Sequence, residues 1–188
     1  MTVASYFALG RRPDAPRLTH LAVPRYPISV PLDARSLPSL TSFEYTYNTY
    51  YSATVLRAHG HKLTAVVLHV HRANALGAEL GAVTEACPRL ARLMLGLQCW
   101  DYFHPDIVLP STITHLGLRS NPYRRAKASV YLAFFEALRG VAVPSLKTVQ
   151  FYDSRDVARL RETSELCEVI ASFSSSGFRL LDHDGKDL

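Results

Sequence analysis

A short apolar frame, apolar-x-x-apolar-x-apolar, recurs along the chain as Leu18-Leu21-Val23, Leu40-Phe43-Tyr45, Leu63-Val66-Leu68, Leu90-Leu93-Leu95, Ile113-Leu116-Leu118 and Leu146-Val149-Phe151. The first positions stand 22, 23, 27, 23 and 33 residues apart, the period range of stacked supersecondary units. With 26 leucines in the chain, the triple alone would recur by chance. The flanks add specificity. Proline stands two residues ahead of the frame at Pro16, Pro38, Pro88 and Pro144, with Pro110 offset by one; composition predicts about half of one such coincidence.

The second and third apolar residues of each frame are two apart. On a strand they share one side, and the intervening residues face the other. Proline just ahead of a strand sets the turn without removing a ladder hydrogen bond from its centre. Between the frames, Leu76, Leu80, Val83 and Cys87 have helical spacing, as do Tyr131, Phe134, Phe135 and Leu138. Val157, Leu160, Cys167, Ile170 and Phe173 predict a third amphipathic helix. The 27- and 33-residue spacings leave room for a full helix, and the 22- and 23-residue ones for short turns or extended links. A last strand is expected at Phe178 to Leu181, its edge shielded by the acidic turn Asp182-His183-Asp184-Gly185.

These units imply one domain over residues 1–188, with repeats starting near Leu18, Leu40, Leu63, Leu90, Ile113 and Leu146 and a terminal strand near Phe178. The expected fold class is α/β: a solenoid with a curved parallel sheet on the concave side and helices and irregular segments on the convex side. At 48% hydrophobic and 20% charged residues the chain is not predominantly disordered. No apolar run approaches the roughly 20 residues of a membrane span, and the N-terminus lacks a signal-like core. A monomeric chain of the cytoplasm or nucleus, without a membrane role, is expected. Cys87, Cys99 and Cys167 are odd in number and widely spaced, which fits buried thiols rather than a disulfide framework or a CxxC site.

The frame resembles leucine-rich-repeat proteins. More narrowly, His61-Lys-Leu-Thr, Cys87-Pro-Arg-Leu, Leu109-Pro-Ser-Thr-Ile-Thr-His-Leu and Pro144-Ser-Leu-Lys-Thr look like the degenerate repeats of fungal F-box-like proteins. The resemblance implies the part that holds a target for a ubiquitin ligase, and no F-box segment is seen before Leu18. In such repeats a side chain three residues past the last apolar position hydrogen-bonds the backbone where the strand turns away. Here those positions are Tyr26, Asn48, His71, Gln98, Asn121 and Ser154.

Signals of catalysis are sparse. His59-x-His61 and His69-x-His71 are metal candidates by spacing, but no carboxylate or cysteine lies nearby in sequence to complete a tetrahedron, so they read as loop and turn histidines. His104-Pro105-Asp106 and His183-Asp184 supply acid and base types without a nucleophile motif. There is no GxGxxG or phosphate loop. No catalytic, cofactor or metal residue is assigned.

The basic stretch Arg119–Lys127, with Tyr123 interleaved and Ser129 beyond it as a phosphorylation candidate, reads first as a solvated loop and helical turn; its functional alternative is a contact to phosphates or an acidic partner. The net charge of +5 lies in the first half, where residues 1–94 hold ten Lys/Arg against five Asp/Glu and residues 95–188 hold eleven of each. In the run from Phe43 to Tyr51, Phe43 and Tyr45 serve the core, leaving Tyr47, Tyr50 and Tyr51 as exposed aromatics.

The residues between apolar positions line the other side of the sheet. Arg92, Met94, His115, Arg119, Gln150 and Tyr152 form its richest stretch of large side chains, and Arg and Tyr are enriched in binding hot spots. The expected function is therefore a protein–protein interaction module. The alternative is a nucleic-acid-binding protein using its basic surface, and a third reading is a hydrolase at His104 and Asp106.

Overall fold

The structure, a computed structural model, describes residues 17–23, 37–46, 50–120, 126–141, 143–173 and 176–188. Seven strands form one all-parallel sheet in sequential order: β1 (His20–Val23), β2 (Ser42–Thr46), β3 (Ala65–Val70), β4 (Arg92–Leu97), β5 (His115–Ser120), β6 (Thr148–Phe151) and β7 (Arg179–Leu181). Leu21, Phe43, Val66, Leu93, Leu116, Val149 and Leu180 are register partners from strand to strand. Each is buried. The sequence frame and the pairing register therefore coincide from β1 to β6, and Leu180 extends the buried row to β7.

The turn ahead of each strand explains the prolines. Backbone bonds Leu40 N–H to Leu37 O, Leu90 N–H to Cys87 O and Leu146 N–H to Val143 O each close a four-residue turn. Pro38, Pro88 and Pro144 occupy the second position of those turns, where a proline φ near −65° is preset. Equivalent bonds close Gly60 to Leu63 and Pro110 to Ile113.

The next residue then fastens one strand to the next. The carbonyls of Thr19, Thr41, Thr64, Ala91 and Thr114 each accept two N–H groups from the start of the following strand, at 2.8–3.2 Å. The hydroxyls of Thr41, Thr64 and Thr114 donate to the carbonyl one strand back, at 3.3, 3.3 and 3.1 Å.

Among the described residues there are five α-helices: α1 (Tyr50–His59), α2 (Leu76–Ala86), α3 (Ala128–Arg139), α4 (Ser154–Glu162) and α5 (Ser164–Ser172). Their apolar faces share one core with the inward strand residues: Val55 and Leu56, Leu76 to Val83, Tyr131 to Leu138, Val157 and Leu160, and Leu166. Among the described residues, the helices cover one face of the sheet. None of the described helices is long and apolar enough to cross a membrane.

Two helix expectations need correction. The 23-residue spacing from Leu40 to Leu63 holds the ten-residue α1, because ten residues rise only about 15 Å and return the chain within a tight unit. In the equally spaced unit from Leu90 to Ile113, Pro105 and Pro110 interrupt any helical run, and a 3-10 turn at Trp100–Tyr102 replaces it. Trp100 is 1% exposed and fills the volume with Phe134 at 5.0 Å and Phe151 at 5.6 Å between ring centroids.

The third helix is in fact two. Thr163 adopts extended backbone at φ −107°, ψ 117° and its hydroxyl donates back to the Arg159 carbonyl at 3.4 Å, ending α4. The break re-phases the chain, so Leu160, Leu166 and Phe173 are buried while Cys167 is exposed.

Two polar groups are built into the core. Asp156 is buried and accepts from Ser120 Oγ at 2.6 Å, Tyr131 Oη at 2.5 Å and Trp100 Nε1 at 3.4 Å, which ties the end of β5 to α3, α4 and the 3-10 turn. Tyr45 stacks on Phe43 at 4.9 Å and donates to Glu79 Oε2 at 3.0 Å. Burial pushes the Glu79 carboxyl up, against the opposing effect of that bond.

The sheet ends as the sequence indicates, with added detail. The acidic turn carries the chain back so that Leu181 bridges Asp187 in antiparallel fashion and Leu188 N–H bonds Leu180 O at 3.1 Å. Gly185 supplies the positive φ of 79° that the turn requires. Asp182 accepts from the backbone of Asp184 and Lys186, both at 2.9 Å, and from Arg161 at 2.8 Å.

The alternation of faces has a direct test. Leu93→Ala should destabilise the fold by about 2–5 kcal/mol, whereas Met94→Ala, one residue along on the uncovered face, should cost about 1 kcal/mol or less; denaturant titration of both variants decides it.

The acidic limb of stability also follows. The Lys186 amide and Arg161 hold the Asp182 carboxyl below the usual range, and Arg179 and Arg155 do the same for Asp187 and Asp153. Their contribution is complete above the ordinary carboxylate pKa of about 4 and is lost as pH falls through the lower folded values. The denaturation midpoint should therefore drop below about pH 4, and Asp182→Asn should flatten that decline.

Candidate partner-binding face

The uncovered face carries the residues that alternate with the core. Register places them in rows across the strands: His20, Ser42, Ala65, Arg92, His115 and Thr148, then Ala22, Glu44, Val67, Met94, Gly117 and Gln150. A further row holds Thr46, His69, Gly96 and Arg119. All six residues singled out from the sequence come together at the β4–β6 end of this face. Arg92, Met94, His115, Gln150 and Tyr152 line a depression of about 410 Å³. Met94 and Tyr152 also border a second one of about 450 Å³ with Arg119, Asp153 and Arg155.

Two glycines shape the surface. A Cβ at Gly117 would lie 2.8 Å from Cε2 of Tyr152, and one at Gly96 would run into Nδ1 of His69. The Tyr152 and His69 rings therefore lie down over backbone that no larger residue would leave open. Tyr152 is 44% exposed, so its ring covers the sheet on one side and meets solvent on the other.

Several groups are held in place. Gln150 Nε2 donates to the Asp182 carbonyl at 3.1 Å, anchoring the row to the C-terminal turn. His115 Nδ1 lies 2.8 Å from Thr114 Oγ1. Asp153 accepts Arg155 Nη2 at 2.8 Å and Nε at 3.0 Å, and Arg119 adds a further attraction. On the β1–β3 end, Glu44 meets His69 at 2.9 Å and His20 at 3.7 Å. Asp153 and Arg155 were not singled out from the sequence; their signal was the residue just before α4, where Asp153 accepts the Arg155 N–H at 2.9 Å as a helix cap.

The other sequence candidates are placed apart. His59 is buried, His61 and His71 are exposed, and His69 alone of the four lies on the sheet face. Among the described residues no group of three or more His, Cys, Asp or Glu is arranged to hold a metal ion. His104 and Asp106 are 3.7 Å apart with 44% and 95% side-chain exposure, and His183 and Asp184 form a similar exposed pair at 3.7 Å. Neither pair borders the depressions around Met94.

Phe43 and Tyr45 are core residues. Tyr47 and most of the Arg119–Lys127 stretch lie outside the described residues, as do Tyr26, Asn48 and Asn121. Of the Asn-like positions that are described, His71 and Ser154 are exposed and Gln98 is half-buried. Ser129 is exposed on the first turn of α3.

The chain matches no protein-family profile, no curated protein and no solved structure.

The three thiols differ from the uniformly buried set expected. Cys87 is buried, Cys99 is half-buried and Cys167 is exposed. Burial pushes the Cys87 thiol up to about 12, which leaves almost no thiolate, the reactive form, at neutral pH. Timed alkylation with mass-spectrometric site assignment should label Cys167 first, then Cys99, and Cys87 only after denaturant is added.

Proposed function

We propose that this chain is a protein-interaction module: a small leucine-rich-repeat solenoid that holds a protein partner on its uncovered, concave sheet face. The observation that carries the reading is the convergence of Arg92, Met94, His115, Arg119, Gln150 and Tyr152 on one side of a continuous parallel sheet, with the core entirely on the other. Interface centres are rich in Arg and Tyr, and this face offers both around a flat aromatic ring. The phrases shared with fungal F-box-like repeats support the narrower role of target recognition for a ubiquitin ligase, in the cytoplasm or nucleus.

Site-specific cross-linking tests the reading. Benzoylphenylalanine in place of Thr148, on the sheet face, should cross-link a discrete protein in the source cells. The same group in place of Glu165, exposed on α5, should not. Arg92→Ala with Tyr152→Ala should lower retention of that protein about tenfold or more. Cross-links that form only from the helix side, or to nucleic acid, would overturn the proposal.

A further inference from the structure

The charges on the uncovered face are not balanced. Arg92 and Arg119 are both exposed on β4 and β5. Among the described residues at the outward positions of β3 to β6 there is no carboxylate: they are Ala65, Val67 and His69, Arg92, Met94 and Gly96, His115, Gly117 and Arg119, and Thr148 and Gln150. Two acids that flank these positions are already engaged: Glu44 is bonded to His69 at 2.9 Å, and Asp153, which also attracts Arg119, takes two bonds from the Arg155 guanidinium. Arg92 forms no ion pair with any described residue.

Register fixes how far apart the two cations stand. Arg92 pairs with His115, and Arg119 lies four residues further along β5. At about 3.3 Å per residue and about 4.8 Å between strands, their Cα atoms are about 14 Å apart. Between them lie Met94 and the Tyr152 ring over Gly117, an uncharged floor. An extended chain laid along the strands repeats its same-side residues at the same rise. Its residues i and i+4 would therefore meet the two arginines while residue i+2 meets the floor.

We infer that the partner presents an extended acidic segment, with carboxylates at i and i+4 and an apolar side chain at i+2, to the strip between Arg92 and Arg119. The inference rests on the proposed partner-binding role of this face and names the chemistry of the partner. Guanidinium–carboxylate contacts at both ends give register as well as attraction, and the uncharged floor disfavours a cation in the centre.

Fluorescence anisotropy on the full chain tests it with three labelled peptides. The first is Gly-Ser-Glu-Ser-Leu-Ser-Glu-Ser-Gly; the second has glutamine for both glutamates; the third keeps both glutamates but places them side by side. At about 50 mM salt, where screening is modest, the first should bind at least about tenfold tighter than the second and several-fold tighter than the third. Arg92→Glu with Arg119→Glu, both at exposed positions, should abolish that preference and instead favour the lysine counterpart of the first peptide.

Equal binding of the first two peptides, no binding of any, a preference that survives the double charge reversal, or tighter binding of a single-stranded RNA of equal length would each overturn the inference. If the peptides fail while the Thr148 cross-link persists and depends on Arg92 and Tyr152, only the acidic segment is wrong. If the cross-link fails as well, the partner-binding face is wrong.

Discussion

Everything in this structure depends on the pairing of short parallel strands that are individually too small to be stable. The strands run from three to six residues, and each buries no more than three side chains toward the helices. A parallel pair cannot close through a tight hairpin, so every strand waits for a long connection before it finds its neighbour. The solution is repetition of one fastening. A turn closes ahead of the strand, and the residue after it offers a carbonyl that accepts two N–H groups from the next unit. The apolar row then stacks in register from strand to strand, and the helices close one shared core over it.

The same alternation that makes the core also makes the other face. Since a strand sends successive side chains to opposite sides, burying Leu93 and Leu95 obliges Arg92, Met94 and Gly96 to face outward. Repeated across β3 to β6, this assembles a surface from residues scattered over some ninety positions of sequence. Glycines at 96 and 117 then let His69 and Tyr152 lie flat, so the surface is low in the middle and cationic at its ends. That form suits a chain laid across it better than a substrate enclosed in a pocket.

Much of this was readable in advance because the repeated frame is local. Leu21, Phe43, Val66, Leu93, Leu116 and Val149 could be aligned by eye, and the pairing register follows that alignment. The prolines at 38, 88 and 144 stand in turns as their spacing implies, whereas the hydroxyl ladder of Thr41, Thr64 and Thr114 has no equally plain signal in the sequence. Connections were harder. Equal spacings of 23 residues hold a helix in one unit and Trp100 with extended chain in another, because what must be conserved between repeats is filled volume, not conformation. The single amphipathic run from Val157 to Phe173 divides at Thr163, whose extended backbone shifts the phase and moves Cys167 to the surface. Ser154, one of the positions just after the strands, is exposed, and it is Asp153 that caps α4.

The sequence by itself determined the α/β class, the number and order of the strands, and which side of each strand is apolar, for these depend on side-chain period alone. Only the tertiary structure decided that the Asp156 carboxylate would be buried beneath Ser120, Tyr131 and Trp100, and that Gln150 would be tethered to the terminal turn. It likewise decided that Arg92 on the open face forms no ion pair with any described residue, whereas Arg119 attracts Asp153. Those outcomes depend on distances between units far apart in the chain, and a periodic pattern fixes the row a residue occupies without saying what its side chain meets there.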